Sequence, residues 1–200
     1  MIKVTATFTQ LEDYSFRYNT KMFFGDTYST CLGTVFMLNP GSALPIDKDV
    51  FISENITVNN IEVHLDQTMH SVKNMIYFHY GQNVNGFFNI INLFNLRNEN
   101  LKEAIITLNK IKNNSEVKKF LFYDIQKLNK IVLESPFIWL AWGTKLTTEL
   151  EDIIEENYEM LSKKAVFIPL KNDFPYIKHP LYMTKKQREY LKDTIENLLV

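Results

Sequence analysis

Leu32-Gly33-Thr34-Val35-Phe36-Met37-Leu38, closed by Asn39-Pro40-Gly41-Ser42, is the stretch that decides the fold. A short apolar run ended by Pro and Gly reads as a buried strand leading into a loop. The same grammar recurs at Phe87–Phe94, at Phe137–Trp142 before Gly143, and at Ala165–Leu170. Between these runs the apolar residues fall at spacings of three and four, which predicts helices over 68–80, 101–111, 116–133, 145–162 and 184–199. Gly81 is placed to end the first of these helices, and Thr184 to cap the last. Strand, loop and helix therefore alternate about four times. That order predicts a three-layer α/β/α sandwich around a central, mainly parallel sheet of about four strands: 32–38, 87–92, 137–142 and 165–170. Residues 1–9 alternate apolar and polar, as in a half-exposed edge strand. The expected organisation is a single domain over 1–200, with an N-terminal edge segment (1–30) and an α/β core (31–200).

Composition narrows the class. The chain has 200 residues, 46% hydrophobic and 22% charged, with 6 Gly and 6 Pro. That excludes collagen-like and low-complexity sequences, and a chain of this length buries about 70% of its unfolded surface without needing staples. Cys31 is the only cysteine, so neither an intrachain disulfide nor a Cys-rich zinc site is expected. His64 and His70 do not match a zinc pair, and no metal or cofactor is expected. No secretory signal and no long apolar run is visible, so the chain is expected to be cytoplasmic and off the membrane, and to act as a monomer.

The net charge of −1 hides segregation. Glu149, Glu151, Asp152, Glu155, Glu156 and Glu159 form an acidic block. From Lys163 to Lys192 eight basic residues stand against two acidic ones.

In open α/β sheets, ligands bind outside the carboxyl ends of the strands. The rule points to Asn39–Ser42, Asn92–Arg97, Gly143–Lys145 and Lys178–Met183. No phosphate loop, dinucleotide fingerprint or serine elbow is present. The residues left to do chemistry are neutral and hydrogen-bonding: Asn39, Asn92 and His179. An Asn presents a donor and an acceptor on one plane and can pair with a nucleobase edge. Each residue also has a bland reading, as a turn, an internal hydrogen bond or a solvated loop side chain. Cys31 reads as a buried or semi-buried thiol.

Taken together, the four loops resemble the uracil-DNA glycosylase superfamily. Met37-Leu38-Asn39-Pro40-Gly41 resembles its first motif, with the leading glycine replaced. Asn92 followed five residues later by Arg97 resembles the second. Leu140-Ala141-Trp142-Gly143 matches an apolar-Trp-Gly element. His179-Pro180-Leu181-Tyr182-Met183 keeps the His-Pro of the last motif and loses its Ser-Pro. A closer resemblance is to a bacterial domain family of unknown function with Phe-Arg-Tyr, Leu-Asn-Pro, Asn-Leu-Phe, Trp-Gly and His-Pro-Leu-Tyr; Phe16-Arg17-Tyr18 supplies the first of these.

The resemblance implies roles. Asn39 would orient the attacking water, Asn92 would read the edge of a flipped base, and His179 would stabilise the departing base. Pro40, Gly41 and Ser42 would approach sugar and phosphate, with Ser42 also near the base. Phe51 would stack on the base. Tyr182 or Met183 would wedge into the duplex, and Arg97, Lys178, Lys185 and Lys186 would meet DNA backbone. Asp47 or Asp49 would supply the carboxylate that Asn39 is not. The departures from the motifs imply a base other than uracil, such as a bulky substituted or glucosylated cytosine of phage DNA, and hence antiviral defence. Two alternatives stand beside this monofunctional DNA glycosylase: a non-catalytic DNA- or nucleotide-binding module, and a hydrolase of a free modified nucleoside or nucleotide.

Overall fold

A computed structural model describes residues 2–47, 55–171 and 174–200. The strands are β1 (Lys3–Leu11), β2 (Tyr14–Phe24), β3 (Cys31–Met37), β4 (Thr57–Glu62), β5 (Gly86–Asn92), β6 (Ile138–Leu140) and β7 (Ala165–Val166). The helices are α1 (Gln67–Tyr80), α2 (Leu101–Ile111), α3 (Ser115–Leu121), α4 (Ile125–Glu134), α5 (Thr148–Ser162) and α6 (Lys185–Leu199).

The four strands expected from sequence are present and parallel to one another, in the order β5-β3-β6-β7. The sheet is nevertheless larger and only partly parallel. Among the described residues it has seven strands in the order β4-β1-β2-β5-β3-β6-β7, and β4, β1 and β2 add an antiparallel half. The N-terminal segment is therefore not an edge. β1 lies between β4 and β2 and is buried along most of its length. Val4, Ala6 and Phe8 enter the core, while Thr7 and Thr9, on the other face, are satisfied by side-chain partners. Thr7 donates to Asn59, and Thr9 bonds Thr57 and Tyr18. Alternation in sequence thus marked two buried faces of different polarity. The edge on that side is β4.

Helices cover both faces. Val35 and Met37 of β3 pack with α1 and α6 on one side; Phe36 and Leu38 pack with α2 to α5 on the other. This is the pleat alternation expected of a strand buried on both faces.

Capping sets the helix limits. Gly81 (φ +84°) ends α1, as expected. Thr184 and Gln187 form a capping box at the start of α6. The helix expected over 116–133 is two helices, because Phe122 is extended and the Asp124 carboxylate accepts from Gln126 and Lys127 to open α4. The fourth strand stops at Val166. Beyond it the chain pairs with its own return, Leu170 N–H donating to Tyr176 O and Lys178 N–H to Ile168 O.

Among the described residues, no helix is long and apolar enough to cross a membrane.

Candidate functional site

A cleft of about 430 Å³ opens at the carboxyl ends of the parallel strands. Its walls come from the segment after β3, the start of α1, the Asn98–Leu101 turn, the Trp142–Lys145 loop and the Leu170–Tyr182 return. Asn39, Gly41, Lys178, His179 and Tyr182 all line it, so the first and last expected loops do converge.

Asn39 is held by its amide nitrogen, which donates to Pro40 O at 3.0 Å and to Asn98 O at 3.1 Å. Those two bonds fix the plane of the side chain. The remaining polar atom, Oδ1, is an acceptor only, suited to taking a hydrogen from a water.

His179 opens the 3-10 turn Pro180–Tyr182, and its Nδ1 accepts from Leu181 N–H at 3.4 Å. Burial pushes the imidazole below its ordinary pKa, and the Asp66 carboxylate offsets part of that push. A neutral ring that accepts at Nδ1 carries its proton on Nε2, which makes that nitrogen a donor. Gly143 lies beside it at φ +90°, a left-handed backbone conformation that favours glycine.

Asp66 is the cleft residue that sequence reasoning missed. It is the N-cap of α1, its Oδ1 accepting from Met69 N–H at 2.8 Å. Its other oxygen faces the loop after β3, where a Cβ on Gly41 would lie 2.9 Å from Oδ2. Glycine at 41 is what lets the carboxylate approach. The approach itself is built by backbone pairing: Ile46 N–H donates to Glu62 O and His64 N–H to Leu44 O, stapling the two segments together. An Asp before a helical run is legible as a cap. Nothing local says that the cap faces a cleft.

Arg17 completes this corner. β2 runs antiparallel to β5 and continues past it, with Arg17 N–H donating to Asn95 O. The start of β2 is thereby carried to the carboxyl ends of the parallel strands. The buried guanidinium donates from Nη1 to Ala43 O at 3.1 Å and lies 3.8 Å from Asp66 Oδ2. Burial lowers its pKa to about 10, against the pull of Asp66, so it stays charged at neutral pH.

Other expected residues land elsewhere. Asn92 is at the same end of the sheet, paired with Met37 across β5 and β3, but it is buried and is not part of the cleft lining. Met183 is 5% exposed and sits in the core with α1 and α6, so it cannot be a wedge; Tyr182, 70% exposed, is at the mouth. Arg97 spends its donors on Ser42 O and Ala43 O, bracing the loop rather than reaching outward. Pro40 is buried, and Ser42 is exposed and outside the cleft lining. Lys185 and Lys186 are exposed at the start of α6, Lys185 within 3.9 Å of Glu189. Phe51 and Asp49 lie outside the described residues, and Asp47 is exposed.

Cys31 is half-buried, and burial raises its thiol pKa, so it is a poor nucleophile. Among the described residues no three His, Cys, Asp or Glu side chains gather as a metal site would require.

The model of the family described as "Protein of unknown function (DUF1643)" matches residues 29–181. That span runs from the entry to β3 to Leu181 and includes the first three loops and the fourth as far as Leu181; Arg17, Tyr182, Met183 and α6 fall outside it. No curated protein and no solved structure matches the chain. The chain belongs to the DUF1643 family.

Proposed function

We propose that this member of the DUF1643 family is a DNA glycosylase that hydrolyses the N-glycosidic bond of a flipped, modified base and leaves an abasic site. One observation carries the reading. A carboxylate (Asp66), an acceptor amide (Asn39) and a neutral, N–H-bearing imidazole (His179) line one cleft at the carboxyl ends of the parallel strands. Breaking this bond sends its electron pair to the base and leaves positive charge on the sugar, so fixed charges and dipoles are the main lever. Asp66 offsets the sugar cation and takes the proton of the attacking water. Asn39 Oδ1 orients that water. His179 Nε2–H donates to the base as it becomes anionic.

The cleft volume is in the range that takes drug-sized ligands. It has more room than a bare pyrimidine needs, which supports a bulky modified pyrimidine such as a glucosylated cytosine of phage DNA, and a role in defence. Tyr182, exposed at the mouth, would fill the stack from which the base leaves. Lys145 and Lys178 on the cleft wall, with Lys185 and Lys186 beyond it, would meet phosphates.

A second reading, a hydrolase of a free modified nucleoside or nucleotide, is favoured by the dispersal of the basic block. Lys164 donates to the carbonyls of Val132, Leu133 and Ser135, and Lys192 lies over Phe78, so neither joins a DNA-facing stripe.

The test is alkali-labile strand cleavage after incubation with duplexes and single strands carrying uracil, 5-hydroxymethylcytosine or its glucosylated form, with the matching free nucleosides in parallel. Breaks at the modified base support the glycosylase. Release from the nucleoside alone supports the second reading. DNA binding without any release makes the protein a binding module.

A further inference from the structure

Arg17 does not line the cleft, yet it lies against the carboxylate that does. It is 1% exposed, and its backbone is fixed on both sides. Arg17 N–H donates to Asn95 O and Arg97 N–H to Ser15 O, with Phe16 bridged to Leu96 between them. Burying a guanidinium is costly, because it leaves water and must find its hydrogen bonds inside. Here they are not all found: among the described residues Nε meets no acceptor. The fold therefore keeps a cation at this place against a penalty, and its contacts show what it maintains.

Two contacts divide the possibilities. The first is Ala43 O, which accepts from Nη1 at 3.1 Å. That bond is duplicated, because Arg97 donates to the same carbonyl from Nε at 3.4 Å and to Ser42 O from Nη2 at 3.2 Å. Bracing of the loop after β3 does not depend on Arg17 alone. The second is Asp66 Oδ2, 3.8 Å from Nη2, and among the described residues no other cation pairs with Asp66. At that distance the contact is an ion pair without a hydrogen bond. It holds the carboxylate while using none of the lone pairs that would take a proton from water. The other oxygen, Oδ1, is held by Met69 N–H at 2.8 Å. The start of α1 and the guanidinium thus act on opposite oxygens of one carboxylate.

We infer that Arg17 is a positioning residue for the reaction in the cleft: it sets where the Asp66 carboxylate stands, and Asp66 does the chemistry. Which reaction Asp66 serves rests on the glycosylase reading; its placement by Arg17 rests on the contacts alone. The charge of Arg17 would itself oppose a sugar cation, so its benefit comes through placement. Phe16-Arg17-Tyr18, which precedes the family span of residues 29–181, thereby gains a role in the cleft.

The experiment uses the intact chain and Arg17→Met, which keeps the bulk and removes the charge. Met69 lies in the first turn of α1, where its N–H meets the Asp66 side chain rather than a helix carbonyl. Its amide exchange, read by ¹H–¹⁵N NMR, therefore reports on the carboxylate. Exchange at Met69 should rise about tenfold or more in Arg17→Met. It should stay within about threefold in Arg97→Met, which removes the other brace of the loop. In single-turnover excision on a modified duplex at saturating enzyme, Arg17→Met should be slower by roughly 10–10², the effect of a misplaced reacting group, with duplex affinity little changed. In the Asp66→Asn background the same substitution should change the rate less than about twofold, because the group it positions is gone. An equal fall there would mean a general structural role and overturn the inference. Should Arg17→Met not fold, Arg17→Lys serves in both comparisons, with several-fold effects expected, since a lysine keeps the charge and loses the rigid fork. Unchanged exchange at Met69 would overturn the inference whatever the excision rate. Raised exchange in a protein that releases no base would uphold the hold of Arg17 on Asp66 and refute the glycosylase reading instead.

Discussion

Replacing Asp66 by Asn removes one charge and almost nothing else. Asn caps helices as well as Asp does, so the bond from Met69 N–H at 2.8 Å to Oδ1 is kept and α1 should start where it does now. What is lost is the charge facing Arg17. Breaking a fully buried pair costs about 3–5 kcal/mol. Here the atoms are 3.8 Å apart, the Asp66 side chain is 13% exposed, and Arg17 keeps Ala43 O, so a loss of about 1–3 kcal/mol is expected. The effect on catalysis should be larger. A carboxylate about 4 Å from a developing sugar cation, at an effective dielectric near 20, is worth about 4 kcal/mol. That corresponds to a fall of roughly 10³ in the chemical step. Single-turnover excision on a modified duplex, at enzyme concentrations that saturate binding, isolates that step. Urea unfolding measures the stability loss separately. Asp66→Ala should be equally slow and about 1 kcal/mol less stable than Asp66→Asn, because it also loses the cap. If Asp66→Asn excises within threefold of the unaltered protein, the carboxylate is a structural cap and the mechanism built on it is wrong.

Three further outcomes are expected. His179→Ala should slow excision by roughly 10²–10³ while duplex affinity changes only a few-fold, since a donor to the leaving base acts chiefly in the transition state; a mutant that binds tenfold worse but cleaves at an unchanged saturating rate would make His179 a docking residue. Tyr182→Ala should weaken duplex binding by about 1–3 kcal/mol, the value of one stacked base, at unchanged stability, whereas Met183→Ala should cost about 2–5 kcal/mol of stability through the cavity it opens in the core; thermal melts and fluorescence anisotropy on both variants check the contrast. His79 and His179 are both held below their ordinary pKa by burial, so the unfolded chain takes up protons first as pH falls. Stability should be fully present above about pH 6.5 and decline below it toward the folded pKa values. Urea titrations from pH 7.5 to 5 should show that decline flattened in His79→Gln/His179→Gln.

Signals that act over a few residues were legible in the chain. The apolar runs at 32–38 and 87–92 are buried strands because Leu32, Val35 and Met37, with Phe88 and Ile90, join one core and Phe36, Leu38 and Ile91 join the other. α2 spans 101–111 as its apolar spacing indicates, with Asn100 capping it. Thr184 caps α6 because its hydroxyl needs only Gln187, three residues on. The order of the four parallel strands' loops, and the meeting of Asn39 with His179, follow from the rule that such loops gather at one end of a sheet.

The rest depended on which distant backbone groups find one another. Arg17 reaches Asp66 because β2 pairs antiparallel with β5, and Asp66 reaches the cleft because residues 44–46 pair with 62–64. Asn92 ends β5 beside Met37, buried and outside the cleft lining. Periodicity and caps record what one element needs for itself. They carry no record of which long-range hydrogen bonds will bring a cap, a buried arginine and a glycine into one corner, and that choice belongs to the packed chain alone.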